Sequence, residues 1–513
     1  MAPSIQCLSG ELISFAPPPP QSSSPSIHSI LRRQSSGWVE KRRNPSLHDG
    51  MDSTLHQFHD LMEERHDPLP DNGSIIMNGS SRLAEIQGKT LNDWNGCGGD
   101  VAEWKIRANP AAVNSRNPIR DVMDSLPPLV TKNEKREISL AQGDPAAFGH
   151  LLPPDGAIEA LMNAAESCVF NGYAHSAGLL QSRRVIANYH SINSKISADD
   201  VYITVGCSQA IQLCIEALAC PGSNILLPRP GFPIYEMFSS YYGLQCRHYD
   251  LLPDHDWEID LEQLESLADS NTVAIIICNP GNPCGSVYSY EHLSQIAELA
   301  RRLMVPIIAD EIYAHMVFGT RKFVPMATFS WKVPILVAGG ISKRWLVPGW
   351  RLGWIIVHDP RGILAQGRVV EALTRLVQMT IGTSTPVQAV VPDLLLQTSS
   401  EFYQQTLLTL KLGAELCFER LKEIRGLSCP SAPEGALFIM VKVDILQFVE
   451  LRNDLDFAAA LRCEELVTVL PGTAFGLKNW IRIAFVAPLF HLQEAMDRIQ
   501  NFCQRHVCKK PQY

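Results

Sequence analysis

An α/β fold is expected, with a large domain built on a mostly parallel sheet covered by helices and a smaller α+β domain after it. Three features point there. Short, continuously apolar runs alternate with amphipathic helical stretches, several of those runs end in polar clusters, and a differently patterned set of helix and strands follows a helical stretch at 361–379. Continuous apolar runs of this length are the signature of strands buried on both faces, as in a parallel sheet between helical layers.

The unit occurs four times in chain order. Residues 201–205 lead into Gly206-Cys207-Ser208-Gln209 and an apolar helix at 210–219. Residues 224–227 lead into Pro228-Arg-Pro-Gly-Phe-Pro233 and a helix from Ile234. Residues 273–277 lead into Asn279-Pro-Gly-Asn-Pro283, and residues 306–309 into Asp310-Glu-Ile-Tyr313. Polar residues just past the carboxyl ends of such strands line the ligand crevice. The later set comprises a long helix over 401–425 and strands at 437–440 and 481–485, a smaller α+β domain joined by part of 101–139. The expected division is therefore an N-terminal arm and part of the small domain at 101–139, a large domain at 140–380 and a small domain at 381–513.

The 513 residues are 46% hydrophobic and 19% charged, which suits a globular enzyme with a sizeable core. A formal charge of −9 offers no footprint for nucleic acid, and Lys41-Arg42-Arg43 is a short, solvated cluster. The 14 cysteines show no metal-ligand spacing and read as reduced thiols. No apolar run approaches the roughly 20 residues that span a bilayer, so no membrane partner is expected. Residues 1–100 are rich in Pro, Ser, Gly and Asn and are expected to be mostly disordered. The first 45 or so, Ser-rich, Arg-containing and acid-poor, resemble an organelle transit peptide, but Glu11, Glu40 and the proline run at 17–20 oppose that. A cytoplasmic protein is the expectation, with plastid or mitochondrion as the alternative.

Lys343, in Ser342-Lys-Arg-Trp345, follows the apolar strand 335–338 and so faces the same crevice. A lysine in apolar company is costly unless neutral or covalently used, and a Schiff base to an aldehyde cofactor is such a use. Asp310 ends its own strand. By itself it reads as a helix cap; beside Lys343 it suits the pyridine nitrogen of pyridoxal 5'-phosphate (PLP), keeping the ring an electron sink. Tyr313 and Asn282 are placed to donate hydrogen bonds to the phenolate oxygen of that ring. Gly206-Cys207-Ser208 opens a helix after a strand, supplying free N–H groups and a hydroxyl for a phosphate, and Arg351 adds a two-pronged cation.

Asn279-Pro-Gly-Asn-Pro-Cys-Gly285, Ala309-Asp-Glu-Ile-Tyr313 and the string Ser342-Lys-Arg-Trp-Leu-Val-Pro-Gly-Trp-Arg-Leu-Gly-Trp354 closely resemble the tyrosine aminotransferase family of fold-type-I PLP enzymes. The resemblance covers about residues 110–505 and is nearest to the plant branch, which also holds nicotianamine aminotransferases and alkylthiohydroximate carbon–sulfur lyases. It implies that Lys343 is the Schiff-base lysine and proton shuttle, that Asp310 is the pyridinium partner, and that Asn282 and Tyr313 contact O3'. Phe232 would stack on the ring, while Cys207, Ser208 and Arg351 would hold the phosphate. Tyr173, in Asn171-Gly-Tyr-Ala-His-Ser176, resembles the tyrosine that reaches the phosphate of a neighbouring subunit, implying a homodimer with shared active sites. Arg482 matches the arginine that grips the substrate α-carboxylate, Asn282 is implied to contact the substrate as well, and Gly143 lies where backbone approaches that carboxylate.

The activity so implied is a ping-pong transfer of the amino group of an aromatic L-amino acid to 2-oxoglutarate. Tyrosine, giving 4-hydroxyphenylpyruvate, is the leading donor, with nicotianamine transamination or carbon–sulfur cleavage as alternatives. Two positions depart from the family pattern: Gly340 stands where many relatives carry a phosphate-binding hydroxyl, and His175 replaces a more usual proline.

Overall fold

A computed structural model describes residues 106–127, 135–191 and 196–507. The extension expected to be disordered, 1–100, and the segment compared with a transit peptide lie outside those residues. The chain lays down β1 (Ile138–Ser139), then β2 (Val201–Thr204), β3 (Asn224–Arg229), β4 (Gln245–Leu252), β5 (Glu258–Ile259), β6 (Thr272–Cys278), β7 (Ile307–Asp310), β8 (Ile335–Gly340) and β9 (Gly353–His358). Beyond them come β10 (Leu427–Ser428), β11 (Phe438–Val443), β12 (Val467–Thr468), β13 (Leu470–Pro471) and β14 (Trp480–Ala484).

Strands β2 to β9 form one eight-stranded sheet in the order β2-β9-β8-β7-β6-β3-β4-β5. Its centre is parallel, with β8, β7, β6, β3 and β4 running the same way. Strand β9 runs against both of its neighbours, and β5 folds back on β4. The apolar runs are continuous because both faces of the sheet are buried. Ile275 and Ile277 of β6 point into one core cluster with Trp354 and Val390, whereas Ala274 and Ile276 point into another with the helix Gly206–Leu218. Each such fully buried aliphatic side chain contributes about 1.5–3 kcal/mol over leaving it in water.

The helix Gly206–Leu218 starts four residues before the expected 210, because its polar first turn continues the helical backbone into the crevice. The smaller sheet is antiparallel, ordered β10-β11-β14-β13, and shares a core cluster with the helices Ser400–Lys422 and Leu489–His506. Strand β1 pairs in parallel with β12, which ties the chain before residue 140 to these C-terminal elements. One packing arrangement differs from expectation. Val390, Val391, Leu394 and Leu395, within or beside the helices Thr385–Ala389 and Val391–Gln397, join the core of the large sheet. The expected division at residue 380 therefore falls inside the large layer, since an apolar stripe shows that a helix is covered but not which sheet covers it. Among the described residues no helix is long and apolar enough to cross a membrane.

Candidate active site

The carboxyl ends of the central strands converge on a cavity of about 380 Å³ that reaches Cys207, Ser208, Phe232, Asn282, Asp310, Tyr313, Lys343, Arg351, Gly143 and Arg482. They arrive from several separate connections. The strand-to-helix turn after β2 brings Cys207 and Ser208, the β3 and β6 connections bring Phe232 and Asn282, and the ends of β7 and β8 bring Asp310 and Lys343. Arg482 comes across from β14 of the small sheet.

The Lys343 Nζ donates to the Gly143 carbonyl at 2.5 Å. Burial pushes its amine down to about 8, with the Arg482 and Arg351 guanidinium groups adding to that and Asp144 opposing it. Asp310 is 3% exposed. Its Oδ2 accepts from the Tyr235 hydroxyl at 2.6 Å, and its Oδ1 from the Ile312 N–H at 3.1 Å and the Cys207 thiol at 3.5 Å. Burial raises the Asp310 carboxyl against those hydrogen bonds and the charge of Lys343. A carboxylate so desolvated and pinned on both oxygens is stabilised by any cation delivered beside it.

Arg482, also 3% exposed, donates from its two terminal nitrogens to the Ala141 carbonyl at 2.7 Å and the Asn282 Oδ1 at 3.0 Å. Its guanidinium stacks 4.0 Å from the Phe438 ring and 4.6 Å from that of Phe475, and its Nε has no partner among the described residues. Burial lowers it to about 9, so it stays a cation at neutral pH. A buried guanidinium held by neutral acceptors suits an incoming carboxylate. Because the Asn282 oxygen is taken by Arg482, its amide N–H groups are left to donate into the cavity. Tyr313 is buried with its ring edge-on to Phe438, 6.0 Å between centroids, and burial raises its hydroxyl well above the ordinary tyrosine value.

At the other end, Val205 gives the helix Gly206–Leu218 no side-chain cap, and its first N–H groups meet the cavity. Gly206 has φ +73°, and a Cβ there would lie 2.6 Å from an Arg351 terminal nitrogen; the glycine lets the guanidinium sit over the helix start. Arg351 is itself fastened to the Pro348 carbonyl at 2.9 Å. Phe232 packs edge-on to Tyr235, 5.8 Å between centroids. Gly143 leaves no room for a side chain either, since a Cβ would meet the Phe438 ring at 2.3 Å.

Tyr173 is not brought into this cavity. It stands 91% exposed in a loop whose Gly172 carbonyl accepts from Thr385 at 3.2 Å. His175 also stands away from the cavity, its Nδ1 accepting from the Ala177 N–H at 3.2 Å within a local turn. At Gly340 a Cβ would come within 2.8 Å of the Leu352 carbonyl, so this backbone admits no hydroxyl residue there without shifting. Sequence reasoning missed Tyr235, Phe438 and Phe475. Tyr235 sits inside a helix with no motif around it, and Phe438 belongs to an apolar strand run that reads as core. It also missed the wall formed by Asn117, Ile119, Arg120 and Met123 of the helix Pro118–Ser125 and its cap, which only the fold carries to the cavity mouth.

The family described as Aminotransferase class I and II matches residues 135–499. Human tyrosine aminotransferase is 45% identical over 409 residues, 80% of this chain and 89% of its own length. Nicotianamine aminotransferase 1 of rice (Oryza sativa subsp. japonica) is 41% identical over 421 residues, 80% of this chain and 85% of its own. Among solved structures, tyrosine aminotransferase from Leishmania infantum superposes with a TM-score of 0.76 at 35% identity, covering 79% of this chain and all of that one.

Proposed function

We propose, given that this chain belongs to the class I and II aminotransferases, that it moves the amino group of an aromatic L-amino acid, tyrosine first, to 2-oxoglutarate, with PLP held at Lys343. One observation carries the reading: the Lys343 amine, the Asp310 carboxylate and the Arg482 guanidinium face one cavity from three separate elements. The residues fit the cofactor. Asp310 is a buried carboxylate suited to a pyridinium, and the uncapped helix start under Arg351 is suited to a phosphate.

Bound there, PLP would supply an aldehyde that takes the amino group and a ring that accepts the electron pair released at Cα. Lys343 would hold that aldehyde carbon between turnovers. Its amine, already lowered by burial, would take the Cα proton as base and deliver a proton as acid to the former aldehyde carbon. Asp310 keeps a proton at the ring nitrogen, with Tyr235 and Cys207 fixing the carboxylate. Phe232 would stack on the ring, and the Asn282 amide and the Tyr313 hydroxyl would donate to its phenolate oxygen. Cys207, Ser208 and the first helical N–H groups hold the phosphate with Arg351. Arg482 grips the α-carboxylate of the amino acid and then that of the oxo acid, beside the Gly143 backbone, so donor and acceptor use one site in turn. Ile119, Met123 and Phe438 give this mouth an apolar wall that suits an aromatic side chain. The exposed Tyr173 is the residue that would complete a second subunit's phosphate site in a homodimer.

The name of the rice relative supports a second reading, nicotianamine as donor. A carbon–sulfur lyase would use the same contacts. Two experiments separate these readings. Borohydride reduction of the purified protein followed by peptide mapping should mark Lys343; a mark on another lysine sinks the cofactor assignment. Single amino acids added without any oxo acid should bleach the cofactor absorbance with tyrosine foremost. No change with tyrosine, together with cleavage of a thiohydroximate conjugate, would establish the lyase instead.

A further inference from the structure

Beside the strand end that carries Lys343 lies a second, much smaller cavity of about 20 Å³, walled by His190, Gly339, Arg344, Trp354 and Ile312, the last of which also lines the main cavity. The residues that wall it carry three side-chain nitrogens, the His190 Nε2, an Arg344 terminal nitrogen and the Trp354 Nε1, that are buried and have no protein partner among the described residues. Trp354 is 2% exposed, and its ring meets that of His190 edge-on at 5.6 Å. Three orphaned polar atoms on residues around one small cavity cost about 1–3 kcal/mol each unless something bonds them.

We propose that this cavity is a binding site for one structural water molecule, which joins Arg344 to the helix Leu180–His190 and to β9 and so fixes the turn from which Lys343 projects. The size fits, since one water needs roughly 10–15 Å³. The hydrogen bonding also balances. The Arg344 and Trp354 nitrogens can only donate. Burial pushes His190 down to about 3, so its ring is neutral and the Nε2 can accept. A water accepting two bonds and donating one satisfies all three. A halide would leave the histidine nitrogen facing it without a proton in that tautomer. Gly339 keeps the space open, because a Cβ there would lie 2.6 Å from the Trp354 Nε1. Arg344 is otherwise held by aromatic faces, 4.4 Å from the Tyr403 ring and 5.5 Å from that of Trp345. Those contacts fix its plane without supplying an acceptor. His190, Arg344 and Trp354 are thus positioning residues for Lys343, a role that rests on the proposed function, whereas the water site itself does not.

The test begins with crystals of the full-length protein grown in sodium bromide. One peak within hydrogen-bond distance of all three nitrogens and without bromine anomalous signal is expected; no peak, or a bromide, overturns the site whatever the enzyme does. His190→Gln keeps an acceptor near the Nε2 position and His190→Leu does not. The leucine variant should lose the peak and about tenfold in kcat for tyrosine with KM unchanged, because a displaced lysine is felt in the proton transfer. The glutamine variant should stay within about twofold of the parent. Should the leucine variant fail to fold, Trp354→Phe removes one donor while keeping an aromatic ring there and should show the same split. A leucine or phenylalanine variant that loses the peak but keeps kcat overturns the positioning role and leaves the water site standing.

Discussion

Lys343 shows how a single side chain acquires its chemistry from its surroundings. Burial holds its amine near 8 rather than at the ordinary lysine value, so the free base is present two units earlier in pH than on a surface lysine. In the cofactor-free protein, the rate at which a small aromatic aldehyde is captured at Lys343 should therefore be half-maximal near pH 8 and level off above it, as followed by borohydride trapping and peptide mapping. A rate still climbing at pH 10 would contradict the burial. Tyr235 makes the shortest bond to Asp310. Tyr235→Phe removes one hydrogen bond to a charged group, worth about 1.5–3 kcal/mol. Cofactor affinity should fall about tenfold or more, with a red or blue shift of the bound absorbance, measured by equilibrium dialysis and spectroscopy. Arg482→Ala should raise KM for tyrosine and lower kcat/KM by at least about a hundredfold, the loss of two charge-assisted bonds. An unchanged KM would mean the α-carboxylate is gripped elsewhere. Lys343, Asp310 and Arg351 were legible as residues, because a strand-end lysine followed by an arginine, with an acid at a neighbouring strand end, is a chemically unusual set, whereas Arg482 was reached only through the family resemblance. Tyr235 was not, since a tyrosine within a helix carries no mark of the carboxylate it will meet.

The helix Gly206–Leu218 carries the clearest consequence at the level of an element. Its first residue combines a left-handed backbone with a close approach by Arg351. Gly206→Ala adds about 1–2 kcal/mol of backbone strain and drives the guanidinium off the helix start. Gly222→Ala supplies the control, because Gly222 has φ +80° and nothing within 4 Å of a built Cβ. Both variants should lose similar stability in urea, but Gly206→Ala alone should shed its cofactor on dialysis, by about tenfold or more in affinity. Equal cofactor retention would remove the phosphate role from this turn. Neither β4, which carries several polar residues, nor β9 was read as a strand, whereas β2, β3, β6, β7, β8, β11 and β14 were readable from their continuous apolar runs. The reversal of β9 was not, because the residues of an antiparallel strand buried on both faces look the same as those of a parallel one.

The whole molecule holds a set of histidines out of water. Burial drives His190 to about 3 and His315 and His358 to about 4, while His150, His292 and His491 are lowered as well. Each depressed histidine is neutral in the fold and takes a proton on unfolding, so its contribution is intact above its unfolded value of 6.5 and is lost as pH falls toward the folded value. Glu311 acts oppositely. Burial raises it to about 8, so its proton is kept in the fold and released on unfolding, and stability declines as pH rises from 4.5 toward 8. With three strongly shifted histidines outweighing one glutamate below 6.5, the urea midpoint should peak near pH 6.5. It should drop steeply toward pH 5 and gently toward pH 8. A midpoint still rising between pH 6.5 and 8 would contradict the protonated Glu311.

The sequence by itself determined the alternation of buried strands and helices, the strand ends on which polar residues gather, and the chemical types available there, because burial period and residue type are local properties of a chain. Tertiary structure alone decided that Arg482 and Phe438 cross from the small sheet to the Lys343 cavity, that the helix Pro118–Ser125 walls it, and that His190, Arg344 and Trp354 meet at the smaller cavity beside it. Those contacts join residues from tens to hundreds of positions apart, and which surfaces meet depends on how the layers pack, a property that no local stretch of sequence contains.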